Sequence, residues 1–94
     1  MSYAIPAPTD NKLRAQLLDY AHHWLYRWQA TPQEVAEALK VQLSIILSRK
    51  NKTWFGEVEA ERGIREAPEN QEWINEFISK AIEDAQATNE EMSR

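Results

Sequence analysis

The most closely spaced cations in this sequence lie in the segment SRKNK, residues 48–52. Arg49, Lys50 and Lys52 could contact the phosphates of a nucleic acid, an electrostatic contact that provides affinity without reading the base sequence. The competing interpretation is a solvated helix end, where basic side chains complement the negative end of the helix dipole. The segment makes nucleic-acid binding a hypothesis without deciding between the two.

Acidic side chains dominate the other part of the chain. Residues 1–56 carry seven Lys or Arg against four Asp or Glu, whereas residues 57–94 carry four against eleven. Paired carboxylates can transfer protons in an enzyme, but in so small a chain they more often line a solvated helix face. Such a face could instead bind a partner protein, and the candidate partner-binding carboxylates are Glu69, Glu72, Glu76 and Glu83.

Aromatic residues are numerous for so short a chain, with four Trp, three Tyr and two Phe among 94 residues. Trp24, Trp28 and Trp73 are predicted to build the core, because they fall on helical apolar stripes. Trp54 and Phe55 lie beside the basic segment and are predicted to be exposed as a binding anchor. That prediction rests on the large share of interface energy that Trp side chains often supply.

Motifs for catalysis, metal binding and cofactor binding are not found in the sequence. It contains no Cys, no Gly-rich phosphate loop and no Ser in a nucleophile elbow, which argues against an enzyme. His22 and His23 are adjacent, so on a helix their side chains point about 100° apart and cannot easily share an ion. We therefore predict no metal and no cofactor. The lack of Cys fits a reducing, cytoplasmic compartment.

The spacing of apolar residues predicts a mainly α domain. Over residues 11–29 and again from residue 69, apolar side chains recur at steps of three and four, the period of an amphipathic helix. No apolar run is long enough to span a membrane, and the first ten residues lack the features of a secretory signal. The predicted division is an extended N-terminal arm over residues 1–9, a single helical domain over 10–88 and a frayed tail over 89–94.

The middle of the chain contains one clear helix start and one ambiguous segment. Thr31, Pro32 and Glu34 form a capping box, which predicts a short helix over residues 32–40. From residue 41 to 52 the apolar side chains fit both the helical period and the period of a strand. Short apolar runs do not distinguish the two, so both interpretations stay open.

Residues 32–51 resemble the pattern of helix-turn-helix DNA-binding proteins. Ala36 occupies the position on the first helix where the second helix crosses closely. The apolar positions of the pattern are occupied by Val35, Leu39, Val41 and Ile46. This sequence departs from the pattern twice, with Lys40 at the turn position usually held by Gly and Arg49 at a late position that is usually apolar.

This resemblance implies a helix-turn-helix-like pair whose second helix lies in the major groove of double-stranded DNA. Gln42, Ser44 and Ser48 would then be exposed toward the DNA, where Gln42 and Ser44 could read base edges. Leu43 and Leu47 would be exposed as well, which is unusual for that surface. The basic segment would contact phosphates.

The resemblance also bears on residues 53–66, which could form a short β-hairpin, the wing of a winged helix-turn-helix. Gly63 would make the hairpin turn, whereas the alternative is a short helix over residues 56–61. A hairpin that paired residues 41–47 with residues 53–59 would instead remove the recognition helix.

Two hypotheses about function follow. The first is a small DNA-binding transcriptional regulator, with the first and last helices building the core and a homodimer contact. The second is a small acidic helical protein–protein interaction module or inhibitor, of the kind found on mobile elements. It would bind a host protein through the acidic last helix and the aromatic patch.

Overall fold

The computed structural model describes residues 4–50 and 56–92, without the side chains of residues 57 and 90–92, and these ranges contain four α-helices and no strand. The predicted mainly α fold is therefore confirmed. The helices are α1 (Asn11–Tyr26), α2 (Pro32–Lys50), α3 (Glu57–Glu66) and α4 (Pro68–Met92). None of the helices in these ranges is long and apolar enough to cross a membrane.

Local hydrogen bonds explain where α1 and α2 begin. At α1, the carboxylate of Asp10 accepts a hydrogen bond from the backbone N–H of Lys12, at 2.8 Å. At α2, Thr31 Oγ1 accepts from the N–H of Glu34 at 3.2 Å, and the Glu34 carboxylate accepts from the N–H of Thr31 at 3.0 Å. The predicted capping box is therefore confirmed, with both orphan N–H groups satisfied reciprocally.

The two capping carboxylates make these helix starts sensitive to acid. The backbone hydrogen bond from Lys12, followed by the side-chain hydrogen bond from Lys50, lowers the pKa of Asp10 below its usual 3.8. Hydrogen bonds from the backbone and hydroxyl of Thr31 lower the pKa of Glu34 below its usual 4.5. Because both pKa values are lower in the folded chain, the ionised carboxylates stabilise the fold above those usual values. This stabilisation is lost as the pH falls through the folded-state values.

We expect the double variant Asp10→Asn, Glu34→Gln to lose part of the acid dependence of stability. Asn and Gln still accept the capping hydrogen bonds, so the variant removes mainly the ionisable charge. Thermal unfolding followed by circular dichroism should show the parent losing more Tm than the variant between about pH 7 and about pH 3. Equal losses of Tm in the two proteins would contradict the prediction.

Helix α2 runs without a break through Lys40, where the helix-turn-helix resemblance places a turn. The prediction of a short helix over residues 32–40 is therefore wrong. Residues 41–50 are helical, while residues 51–55 lie outside the described part of the chain. The physical reason is a continuous stripe of Leu39, Leu43 and Leu47 at four-residue steps, all buried in the core. Lys40, unlike Gly, also offers no ready access to the left-handed backbone conformation that ends a helix.

The segment after Gly56 is also helical. Residues 57–66 form α3, so of the two alternatives for this segment the helix is observed, longer than the predicted 56–61, and the hairpin (wing) is not. Residues 53–55 lie outside the described ranges. Ala60 and Ile64 are buried at a four-residue step, so the helical period decides the structure here. Gly63 does not form a turn but lies inside α3. Gly56, which precedes the helix, has φ +89°, a backbone conformation that Gly adopts without strain.

The core is built from one face of each helix and consists mainly of aliphatic side chains. Its buried members are Leu13, Leu17 and Ala21 of α1; Val35, Leu39, Leu43 and Leu47 of α2; Ile64 of α3; and Ile74, Ile78, Ala81 and Ala85 of α4. Trp24 and Trp73 are half-buried and pack against this core, as predicted. Trp28 was predicted to join them but is 69% exposed.

The ends of α1 and α4 differ from the predicted boundaries. The N–H of Trp28 donates to the carbonyl of His23 at 3.2 Å, and the N–H of Ala30 donates to that of Trp24 at 2.9 Å. The donor and acceptor of each of these hydrogen bonds lie further apart in sequence than in an α-helix, and Gln29 has φ +55°. Helix α1 therefore ends at Tyr26 rather than at residue 29. Helix α4 continues to Met92, so the tail predicted from residue 89 is helical as far as residue 92.

Asn70 ties the N-terminal arm and α3 to α4. Its side chain is fully buried, and its Nδ2 donates to the carbonyl of Ile64 at 3.0 Å. Its Oδ1 accepts from the backbone N–H of Ile5 at 3.1 Å, across 65 positions of sequence. Residues 4–10 contain no helix or strand, and this hydrogen bond holds them against the helical body. The arm therefore helps to shape the surface beside α4.

Candidate functional site

Two of the three polar residues of α2 that were predicted to be exposed toward DNA are not accessible. Ser44 and Ser48 are 0% and 1% exposed. Their hydroxyls donate within α2, to the carbonyls of Lys40 at 2.8 Å and of Ile45 at 2.7 Å. The prediction that these hydroxyls face a ligand is wrong, because their side of α2 also carries buried leucines and is turned into the protein. Gln42 is half-buried.

Leu43 and Leu47, which the helix-turn-helix resemblance would expose, are core residues. Two exposed leucines would be unusual on a helix that faces DNA, and the burial of both side chains explains why this helix carries them. The part of α2 that would have been a recognition helix therefore contributes to the core instead.

The basic end of α2 remains on the surface. Arg49 and Lys50 are exposed, and Lys50 Nζ lies 3.3 Å from Asp10 Oδ2, next to the start of α1. Lys52, together with the predicted aromatic anchor Trp54 and Phe55, lies outside the described residues. The basic end of α2 thus offers positive charge, while the adjacent residues 42–48 of the same helix are buried or half-buried.

The glutamates predicted to bind a partner form one line on α4, which we call the acidic stripe: Glu69, Glu72, Glu76 and Glu83. All four are exposed. At about 100° per residue they fall within a sector of about 60° around the helix axis, opposite the buried isoleucines. Three of them repeat at seven-residue intervals, which places successive carboxylates about 10 Å apart along the axis. The structure therefore brings these predicted residues onto one surface.

The acidic stripe has no cationic partner in the described part of the chain: none of its carboxylates forms a salt bridge there. The nearby Lys80 pairs instead with Asp84, at 3.2 Å. Like charges three and four residues apart, such as Glu69, Glu72 and Glu76, repel each other and weaken a helix slightly. No ion pair among the described residues compensates this repulsion, although Glu69 lies in the first turn of α4, where the helix dipole favours a carboxylate.

The exposed aromatic surface that the structure describes was not predicted. Trp28 projects at the corner between α1 and α2, where its indole N–H donates to His23 Nε2 at 2.6 Å. Tyr26, two residues earlier, is also exposed. The sequence does contain a signal for this corner, because the capping box at Thr31 requires α1 to end before it. That requirement places Trp28 next to a loop rather than inside a helical stripe.

The described residues include no group of three His, Asp or Glu side chains arranged to hold a metal ion. His22 and His23 instead contact aromatic neighbours, with His22 tilted against Tyr26 and His23 against Trp28. The surfaces with candidate binding chemistry are therefore the acidic stripe, the basic end of α2 and the Trp28 corner.

Comparisons with protein-family models, curated proteins and solved structures find no match for this chain.

Proposed function

We propose that this chain is a small protein–protein interaction module that binds a basic surface of a partner protein through the acidic stripe. One observation carries the proposal: four exposed carboxylates share one line of α4, opposite its buried face, and form no salt bridge within the described ranges. A partner that presents Lys or Arg at a matching spacing would supply the missing countercharges.

The charge distribution of the chain supports this choice of partner. Residues 57–94 carry eleven Asp or Glu against four Lys or Arg. A field of one sign attracts an oppositely charged protein and raises the rate of association, an effect that salt screens. The same field repels the phosphates of a nucleic acid, so the stripe itself favours a protein partner over DNA.

We expect the variant Glu69→Lys, Glu76→Lys, Glu83→Lys to bind the partner at least about tenfold more weakly than the parent, because attraction becomes repulsion. The measurement is affinity capture from the native cells, with quantification of each retained protein. The retained partner is then purified and its Kd measured at low and high salt. The parent affinity should fall as salt rises.

The matched control is the variant Glu37→Lys, Glu59→Lys, Glu66→Lys. It changes net charge by the same amount at exposed positions on α2 and α3. We expect this control to retain the partner, apart from a smaller loss due to the general field. If both variants lose the partner equally, net charge rather than the stripe determines binding. If the stripe variant retains the partner fully, the proposal is wrong.

A second candidate function, that of a small DNA-binding regulator, is favoured by the exposure of Arg49 and Lys50 at one end of α2. Since α2 is continuous and Ser44 and Ser48 are buried, this binding would rely on phosphate contacts and not on base readout by that helix.

The second candidate predicts an affinity for a DNA duplex that falls steeply with salt. Replacing Arg49, Lys50 and Lys52 by Ala should weaken binding and reduce the slope of log K against log salt by about one for each phosphate that is no longer neutralised. Fluorescence anisotropy with a labelled duplex measures both quantities. No binding of the parent at about 50 mM salt, where the electrostatic attraction is strong, would reject this function.

A further inference from the structure

A cavity of about 210 Å³ lies between the N-terminal arm, α1 and α4, directly beside the acidic stripe. Its apolar lining includes Pro8 of the arm and Trp73, Phe77 and Ala81 of α4. Sites for drug-sized ligands usually measure about 300–1,000 Å³. This cavity is smaller, and its size suits one large apolar side chain better than a whole small molecule.

The aromatic walls of the cavity are held in place by their neighbours. The rings of Trp73 and Phe77 meet edge to face, with centroids 6.4 Å apart. The indole N–H of Trp73 donates to Asn70 Oδ1 at 3.4 Å, and the guanidinium carbon of Arg14 lies 5.4 Å from the centroid of the Phe77 ring. A cavity with fixed walls loses little conformational freedom when it is filled, which favours binding.

The charges at the rim indicate what should flank the inserted side chain. Of the two cations there, Arg14 lies over Phe77 and Lys80 pairs with Asp84. Glu76 is the remaining charged residue of the lining, and it forms no salt bridge with the described residues. Glu76 is also the middle member of the seven-residue repeat of the acidic stripe. An apolar side chain that enters here should therefore have a cation beside it.

We propose that this cavity takes one apolar side chain, of the size of Leu, Met or Phe, from the basic segment of the partner that lies along the acidic stripe. The inference rests on the proposed function and deepens it. The stripe attracts and aligns the partner by charge, whereas the cavity supplies the buried anchor that such interfaces usually have near their centre. The partner segment is thus amphipathic, with an apolar residue next to a Lys or Arg that faces Glu76.

The test uses the full chain, labelled with ¹⁵N, and two helical alanine-based peptides. Both peptides carry lysines at the seven-residue spacing of the stripe, and one has a leucine beside its central lysine where the other has alanine. We expect the leucine peptide to bind about tenfold or more tightly than the alanine peptide, because the leucine is buried. It should also shift the indole resonance of Trp73, while the alanine peptide leaves that resonance nearly unchanged.

The possible results test the cavity proposal and the stripe proposal separately. Equal affinities for the two peptides, both lost in the Glu69→Lys, Glu76→Lys, Glu83→Lys variant, would overturn the cavity proposal and leave the stripe supported. Unchanged binding of the leucine peptide to that variant, with the Trp73 shift retained, would support the cavity and overturn the stripe. No binding of either peptide would overturn both. The comparison of the two peptides on the parent chain tests the cavity without any substitution in the protein, and the variant is needed only to test the stripe.

Discussion

Replacing Leu43 by Ala is expected to lower the free energy of unfolding by about 2–5 kcal/mol. Leu43 is 0% exposed and lies in the core stripe of α2, so the substitution removes buried apolar atoms and leaves a cavity. A domain of 94 residues has a total stability of roughly 5–14 kcal/mol, so the loss would be a large fraction of the whole. Denaturation with urea, followed by circular dichroism, measures the change.

The matched control is Val58→Ala on α3, where the side chain is 80% exposed. We expect its effect to stay within about 0.5 kcal/mol, because little apolar surface is buried there. The comparison also tests whether this face of α2 is buried, since the helix-turn-helix resemblance would leave Leu43 exposed to DNA. A loss for Leu43→Ala as small as that for Val58→Ala would show that Leu43 is not in the core.

Replacing Asn70 by Asp is expected to destabilise the fold by about 3 kcal/mol at neutral pH. The substitution turns the Nδ2 donor, 3.0 Å from the carbonyl of Ile64, into a carboxylate oxygen, and it buries a charge. Both changes are unfavourable, because two acceptors then face each other and the carboxylate loses its hydration. Denaturation with urea at neutral pH measures the loss against the parent.

The same variant should recover part of its stability in acid. Burial favours the neutral carboxyl, so the pKa of Asp at this position would be raised in the folded chain, and the loss of stability grows as the pH rises through and above the unfolded value. A protonated carboxyl can also donate to the Ile64 carbonyl. The control is Asn75→Asp, an exposed position on the same helix, for which we expect little change. Equal losses for Asn70→Asp and Asn75→Asp would contradict the buried role of Asn70.

Several features of this protein could be predicted from the sequence because they depend on neighbours a few positions away. The capping box at Thr31 satisfies N–H groups within its own turn, so it forms wherever that helix forms. The acidic stripe follows from spacing alone, since residues seven positions apart lie on one side of any α-helix. The periodic apolar stripes of α1 and α4 likewise predicted two long amphipathic helices.

The errors fall where a short-range pattern permits more than one structure. Residues 41–50 fit a strand, a recognition helix after a turn, or the continuation of α2. Burial of Leu43 and Leu47 against the other helices selects the continuation. The helix-turn-helix resemblance implied that Ser44 and Ser48 are exposed. The structure buries them because their hydroxyls can donate to carbonyls of their own helix, which removes much of the cost of burial.

What the sequence by itself determined is therefore the helical class, the start of α2 and the line of glutamates on α4. Only the tertiary structure decided that α2 is one helix, that Ser44 and Ser48 are buried and that a cavity borders the stripe. The cavity depends on where the N-terminal arm lies, and the arm is held by the hydrogen bond between Ile5 and Asn70, 65 positions apart. The spacing of apolar and charged residues along the sequence predicts which residues share a face of one helix. Contacts between distant residues, such as that of Ile5 with Asn70, depend on how separate elements pack.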